Sequence, residues 1–428
     1  MPKQHRTQLA AVAAACLLAA GAAQAQDAFR FSGFGTIGAS ITDTDDAQFV
    51  TPGQPGNGAT KDVSFAPDTK LGLQGSYRFN SMFSATVQAV TKYTGEGDWD
   101  PTLEWAFVKA QPAAGLTIRA GRIGAPIFAI SDFREVNYAN IWVRPPLEVY
   151  SQVTFSSVDG ADISYQHTFG PAIVTGTVFG GRMKNDYNNA VVELENTIGL
   201  NLTAEFDNGL TLRAGYAQGD LSIGGGRLPT LIGGLRTTAT LLAALPGYAT
   251  SARALAAQLE AKEQASFAGI GATWDLGQWV FNAEYTMRRA DHWVSDSTGW
   301  YASAGYRLGK VTPYVYLSQL KVDELKLSNP VSTTAVTAAG AAGAAARASV
   351  AALRAGVAGV IAAQDYGQKT VAIGARWDAF KSVAFKAQLE RIKPDGSANG
   401  QFYVSPTSTT TINGDSVNVF TLSADFVF

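Results

Sequence analysis

Along most of this chain apolar and polar residues alternate with a period of two. Phe420, Leu422, Ala424, Phe426 and Phe428 are apolar, whereas Val419, Thr421, Ser423, Asp425 and Val427 between them are mostly small or polar. Successive side chains of a strand point to opposite faces, so this segment predicts a strand with one greasy and one wet face. The pattern recurs at 29–37, 70–79, 83–89, 210–216, 279–286 and 370–377. Tight-turn chemistry lies at Asn80-Ser81, Asp207-Asn208-Gly209, Leu276-Gly277 and Leu308-Gly309. Longer connections fall at 44–66, 94–100, 123–156, 183–191, 220–265, 291–297, 324–365 and 393–415. Short and long alternate, which predicts about sixteen strands with both ends on the short-turn side. No segment after residue 25 offers a long, charge-free apolar run, so a membrane-bound form has one option, a closed barrel. The expected fold is therefore all-β: a transmembrane antiparallel up-and-down β-barrel. Phe79, Phe83, Phe206, Trp274, Trp279, Tyr306, Trp377 and Phe428, all near short turns, predict an interfacial aromatic girdle.

Two long connections break the pattern. Residues 228–264 and 331–363 are rich in Ala and Leu, with Pro229 and Pro330 near their starts and a helical stripe at Leu241, Leu245, Leu255 and Leu259. They are expected to be helical insertions capping the mouth, the alternative being a gating or solute-selecting role. At the other end, Lys3 and Arg6 precede an apolar run over 9–20 and a small-residue site at Ala23-Gln24-Ala25. This reads as a secretory signal peptide spanning 1–25, with the barrel over 26–428.

Charge and residue chemistry narrow the function. Lys and Arg number 33 and Asp and Glu 35. Without Lys3 and Arg6 the balance is 31 against 35, a net of −4, which is no nucleic-acid signature. The one cysteine, Cys16, lies within the signal segment, so disulfide and thiolate chemistry are not expected. After it only His167 and His292 remain, too few for a zinc site or a Ser-His dyad with a local signature. No enzyme activity, metal or cofactor is expected.

The terminal segment 421–428, with Thr421, Ser423, Phe426 and Phe428, is similar to the signal read by the barrel-assembly machinery. Residues 116–150, with Arg119-Ala120-Gly121-Arg122 and Arg144-Pro145-Pro146-Leu147-Glu148-Val149-Tyr150, resemble the strand-five and third-loop region of the Gram-negative outer-membrane porin superfamily. The Pro-Glu-Phe-Gly-type loop tip of general porins is missing. The resemblance implies a homotrimer in the outer membrane, reached through the periplasm and in contact with lipid and lipopolysaccharide. It also implies a third loop, about 123–156, folded into the lumen, and passive diffusion of small hydrophilic solutes and ions. The alternative function is a substrate-specific channel for a hydrophobic or aromatic compound, gated by the Ala/Leu-rich loops.

A water-filled pore selects by size and by wall charge. The polar phase assigns Arg30, Lys70, Arg78, Lys92, Arg119, Arg213, Arg288, Arg307, Arg376 and Lys386 to the lumen, against Glu104, Asp162, Glu205, Glu284, Asp378, Glu390 and Asp425. The positive excess predicts a weak anion preference. Arg122, Asp132, Arg134, Glu135 and Arg144 are the expected constriction residues, with Arg119 and Arg78 on the facing wall. Tyr138, Trp142 and Tyr150 are expected to pack the loop rather than to line a slide for solutes.

Overall fold

The computed structural model describes residues 28–187, 189–243, 246–329, 331, 340–396, 398–405 and 412–428; the expected signal segment lies outside them. Sixteen strands close into one antiparallel barrel. They are β1 (Phe29–Thr42), β2 (Lys70–Arg78), β3 (Phe83–Lys92), β4 (Thr102–Ala113), β5 (Leu116–Gly124), β6 (Ser157–Phe169), β7 (Ala172–Tyr187) and β8 (Ala190–Phe206). The second half comprises β9 (Leu210–Gly225), β10 (Glu263–Asp275), β11 (Trp279–Ala290), β12 (Asp296–Tyr306), β13 (Val311–Glu324), β14 (Gln368–Phe380), β15 (Val383–Pro394) and β16 (Val417–Val427). Each strand pairs with its sequence neighbours, and β1 pairs with β16 to close the ring. At that seam the rings of Phe428 and Phe426 lie over Gly33 and Gly35, where a Cβ would collide with them.

The outward phase of the wall is apolar and open. Ile198, Leu200 and Leu202 on β8, Leu317 on β13 and Val371 and Ile373 on β14 are all exposed. A water-soluble surface rarely carries a contiguous apolar belt of this extent, whereas a barrel wall facing hydrocarbon requires one. Near the short turns the belt ends in aromatics, with Trp279 stacked on Phe281 and Phe426 on Phe428. Pro313 fits the alternation on the outward face of β13.

One expected long connection is absent. The 183–191 segment is strand up to Tyr187 and again from Ala190, so β7 and β8 meet in a tight turn. Strands β7, β8 and β9 hold 16, 17 and 16 residues, more than the roughly 10 that hydrocarbon demands. The wall therefore stands proud of the membrane on this flank, and the polar residues there belong to strands rather than to a loop.

Helical insertions occur in both expected segments, although Leu241 of the expected stripe is exposed, and Leu245 and residues 332–339 lie outside the described residues. A single turn, α1 (Leu147–Tyr150), lies in the third long loop; α2 (Leu228–Leu241) and α3 (Pro246–Glu260) follow β9, and α4 (Gly340–Gln364) follows β13. Gly234 faces Leu353 and Gly356 faces Leu231, so small residues let α2 and α4 approach closely. Leu235, Leu255 and Leu259 are buried in one apolar cluster with the lumen-phase residues Met183, Leu194 and Leu221. The helices thus pack against the inner wall at the long-loop end of β7–β9. Among the described residues no helix is long and apolar enough to cross a membrane, which says nothing about crossing by strands.

Candidate functional site

The segment 125–156, between β5 and β6, turns into the barrel. Its apolar density explains why. Ile127, Phe128, Ile130, Trp142, Val149, Tyr150 and Phe155 would face water if the loop projected outward; inside, all are buried. Phe128 packs on Tyr150 at 4.8 Å and on Phe267 of β10 at 5.1 Å between ring centroids. Trp142 meets Tyr301 of β12 edge-on at 5.5 Å and donates its Nε1–H to Ser303 Oγ at 2.9 Å. Trp142 and Tyr150 are therefore packing residues, and Tyr138 lies under the Arg376 guanidinium, 4.9 Å from its ring centroid.

Polar anchors fix the loop to the wall. Arg144 reaches Asp68 through Nε at 2.8 Å and Nη2 at 2.7 Å, donates to Thr421 Oγ1 at 2.7 Å, pairs with Glu390 and lies 4.7 Å from the Phe49 ring centroid. Burial works against the Asp68 charge, but Arg144 outweighs it and holds the carboxyl below its ordinary value. Glu148 accepts from Ser318 and Gln368, each at 2.7 Å, and from Thr370. Burial pushes its carboxyl up, and these neutral donors offset that only in part. Lys386 Nζ donates to the carbonyls of Asn137 at 2.7 Å and Trp142 at 2.6 Å while paired with Asp425 at 2.8 Å. Arg376 donates to the carbonyls of Tyr138 and Asn140. On the other side, Glu284 accepts from Ala129 N at 2.9 Å and Tyr150 OH at 2.6 Å, and Arg213 donates to Ala129 O at 2.9 Å. Arg288 donates to Gln152 O at 3.1 Å.

The loop also touches the opposite wall. Glu135 bridges Lys70 of β2 at 3.1 Å and Lys92 of β3 at 2.7 Å. Burial alone would raise the Glu135 carboxyl; Lys70, Lys92 and Arg134 outweigh it and hold the group well below the ordinary carboxylate range. Ser156 Oγ donates to Glu104 at 2.6 Å. Asp132 and Phe133 remain exposed on the free side of the loop. Across β4–β6 the register places Lys109, Arg119 and Asp162 in one lumen-facing row. Arg119 Nε lies 3.0 Å from Asp162 Oδ2, and its guanidinium sits 5.5 Å from the Phe107 ring centroid. The arrangement is a charged passage narrowed by an anchored loop, with several of its wall charges paired: Arg119 with Asp162, and Lys70 and Lys92 with Glu135.

Several expected residues take other places. Arg122 is not at the constriction. It lies on β5 three residues from Arg119, an odd spacing that sends the two to opposite faces of a strand. Its guanidinium points outward and grips Asp159 of β6 with two contacts of 2.6 Å. Arg144 does not line the passage either; it is 4% exposed and serves as an anchor. Arg134 turns inward to cap the loop carbonyls of Tyr150, Val153 and Phe155. Arg307 lies beyond β12 at the short-turn rim, paired with Asp275 at 2.7 Å. Arg30 and Arg78 are exposed at the same end of the lumen phase, as is Glu205 on β8. Asp378 pairs with Arg376 at 2.7 Å. Ser423 is buried in the lumen phase, and Thr421 serves the Arg144 anchor.

Lys109 and Phe107 escaped the alternation for a local reason. The register between β3 and β4 slips after Gln88, whose partner is Trp105 while Ala89 faces Leu103. Glu104 is the extra residue, and the slip lets Glu104, Trp105 and Lys109 all face inward. A bulge leaves no reliable mark in a single sequence.

Residues 10–325 match the Gram-negative porin family. No curated protein matches the sequence. Among solved structures, the anion-selective porin from Comamonas acidovorans is 12% identical with a TM-score of 0.51, covering 94% of this chain and 99% of that one. Salmonella typhi OmpF in complex with daunomycin is 12% identical with a TM-score of 0.52, covering 93% and 97%. The outer membrane channel DcaP of Acinetobacter baumannii is 9% identical with a TM-score of 0.53, covering 94% and 97%. At such identity these likenesses speak to the fold. The family match spans most of the chain and agrees with a sixteen-strand barrel narrowed by an inner loop: this chain belongs to the Gram-negative porin family and is an outer-membrane channel rather than an enzyme.

Proposed function

We propose that the channel passes small hydrophilic solutes and ions by diffusion, with a weak preference for anions. The observation that carries this reading is the charge on the wall facing the loop. The lumen face of β2–β6 bears Lys70, Arg78, Lys92, Lys109 and Arg119 against Glu104 and Asp162, and the loop adds Glu135 between two of the lysines. An anion in the passage meets more cations than carboxylates at close range. A salt gradient across a planar bilayer holding the purified protein is expected to give a reversal potential of the anion-selective sign. Lys109→Glu is expected to move that potential toward cations. A wild-type potential of cation-selective sign, or no shift in the variant, contradicts the reading.

The same proposal covers assembly. The chain is exported through the periplasm as a precursor cleaved after Ala25, is folded by the barrel-assembly machinery through its terminal Phe426 and Phe428, and functions as a homotrimer surrounded by lipid and lipopolysaccharide. The helices over the β7–β9 side act as a fixed cap. Leu235, Leu255 and Leu259 are buried in a cluster shared with the wall while Leu241 stays exposed, and the buried leucines favour a cap over capture of a hydrophobic solute.

A further inference from the structure

The outer wall carries two charged zones at its long-loop end, and they differ in kind. On β5–β10 the outward cations are matched within the protein: Arg122 with Asp159, Arg182 with Glu193 and Lys262 with Glu195. On β14 and β15 they are not. Lys369 of β14 lies directly opposite Lys393 of β15, and Arg391 faces Val371 two residues along the same outward face. All three are exposed, and among the described residues none has a carboxylate within 4 Å. Lys321 lies on the adjoining outward face of β13, where Asp323 is shared with Arg289.

Two lysines directly opposed on one face of a sheet have Cβ atoms about 5 Å apart and repel. A protein that matches its outward cations on one flank and opposes them on the other leaves room for an external anion. The level on the wall identifies that anion's source. Immediately toward the short-turn end on the same faces come Leu317, Val371, Ile373 and Leu389, all exposed and apolar. The cluster therefore sits where hydrocarbon gives way to headgroups, on the side bearing the long loops, which in barrels of this class is the outer leaflet. Tyr285 and Trp300 line a shallow groove below Arg289 and Lys321, a suitable floor for the first carbons of an acyl chain.

We propose that Lys369, Arg391 and Lys393 form a binding site for the phosphate of a phosphorylated outer-leaflet glycolipid, with its acyl chains lying on the apolar belt below. This rests on the outer-membrane placement and deepens the expected contact with lipid by assigning residues to it.

The test uses the full folded protein in detergent, titrated with mixed micelles containing diphosphorylated lipid A. The triple variant Lys369→Gln, Arg391→Gln, Lys393→Gln is expected to bind at least 10-fold more weakly than wild type, while Arg182→Gln with Lys262→Gln binds as wild type. Without lipid A the triple variant is expected to melt at a higher temperature than wild type, because the repulsion is gone; with lipid A the order reverses. Channel conductance of the variant, measured alongside, shows that its barrel is folded, and a loss of conductance in the wild type would count against the channel reading alone. Equal lipid A affinity in triple variant and wild type overturns the proposal. So does equal protection of wild type by inorganic phosphate at the same concentration, which would make the site one for free phosphate.

Discussion

Arg144→Ala is expected to lower the stability of the folded barrel by about 3–5 kcal/mol and to loosen the inner loop. Arg144, Asp68 and Glu390 are each nearly inaccessible to solvent, and the guanidinium is the one cation between the two carboxylates. Its removal leaves two buried charges unpaired. The anchor also ties three separate parts of the chain together: the first long loop through Asp68, the inner loop through Arg144 itself and β15–β16 through Glu390 and Thr421. Two readouts check this. The melting temperature in detergent should drop, and open-channel current should become noisier as residues 137–150 leave the wall. Arg144→Lys should recover only part of the loss, since an ammonium cannot make the paired contact with Asp68. An unchanged melting temperature with quiet current would mean that the apolar contacts of the loop suffice without the anchor.

The second large effect is expected from Gly299→Val, which alters no charge. Gly299 lies on the lumen face of β12, and a Cβ there would run into Gln152 Nε2 and the Glu148 carbonyl. Valine must push residues 148–152 off the wall. The displacement would break the bonds of Glu148 with Ser318 and Gln368 and that of Gln152 with Ser297. Overpacking of a tight site costs about 1–3 kcal/mol, and the stranded polar groups add to it. The conductance should change together with the melting temperature. Gly176→Val, on the outward face of β7 with nothing within 4 Å, is the matched control and should alter neither. Equal behaviour of the two variants would contradict the placement of the loop against β12.

The barrel was legible because its constraint repeats along the whole chain. Every strand must present one face to hydrocarbon and one to the lumen, so alternation in 29–37 or 420–428 carries the same message as alternation in 370–377. The inner loop was legible only in part. Its apolar residues and its arginines are visible in the sequence, but alternation ends where the strand ends, and it assigns no direction to Arg134 or Arg144. Arg122 could have been placed correctly, since its odd spacing from Arg119 on one strand already excludes a shared face. Asp68 lies in the first long loop, 76 residues before Arg144, and the two meet only because the third long loop folds into the barrel. Lys109 was hidden by the slip at Glu104, and Lys369 opposite Lys393 becomes visible only once the register of β14 on β15 is known.

The most direct test of the account is single-channel recording of the purified protein in a planar bilayer. Discrete open steps with an anion-favouring reversal potential in a salt gradient are expected. Steps grouped in threes would also meet the expectation of a trimer. Protein that inserts and shows heat-resistant folding but raises the current no further than the bare bilayer would contradict it, and would mean that the inner loop and the helical cap close the barrel.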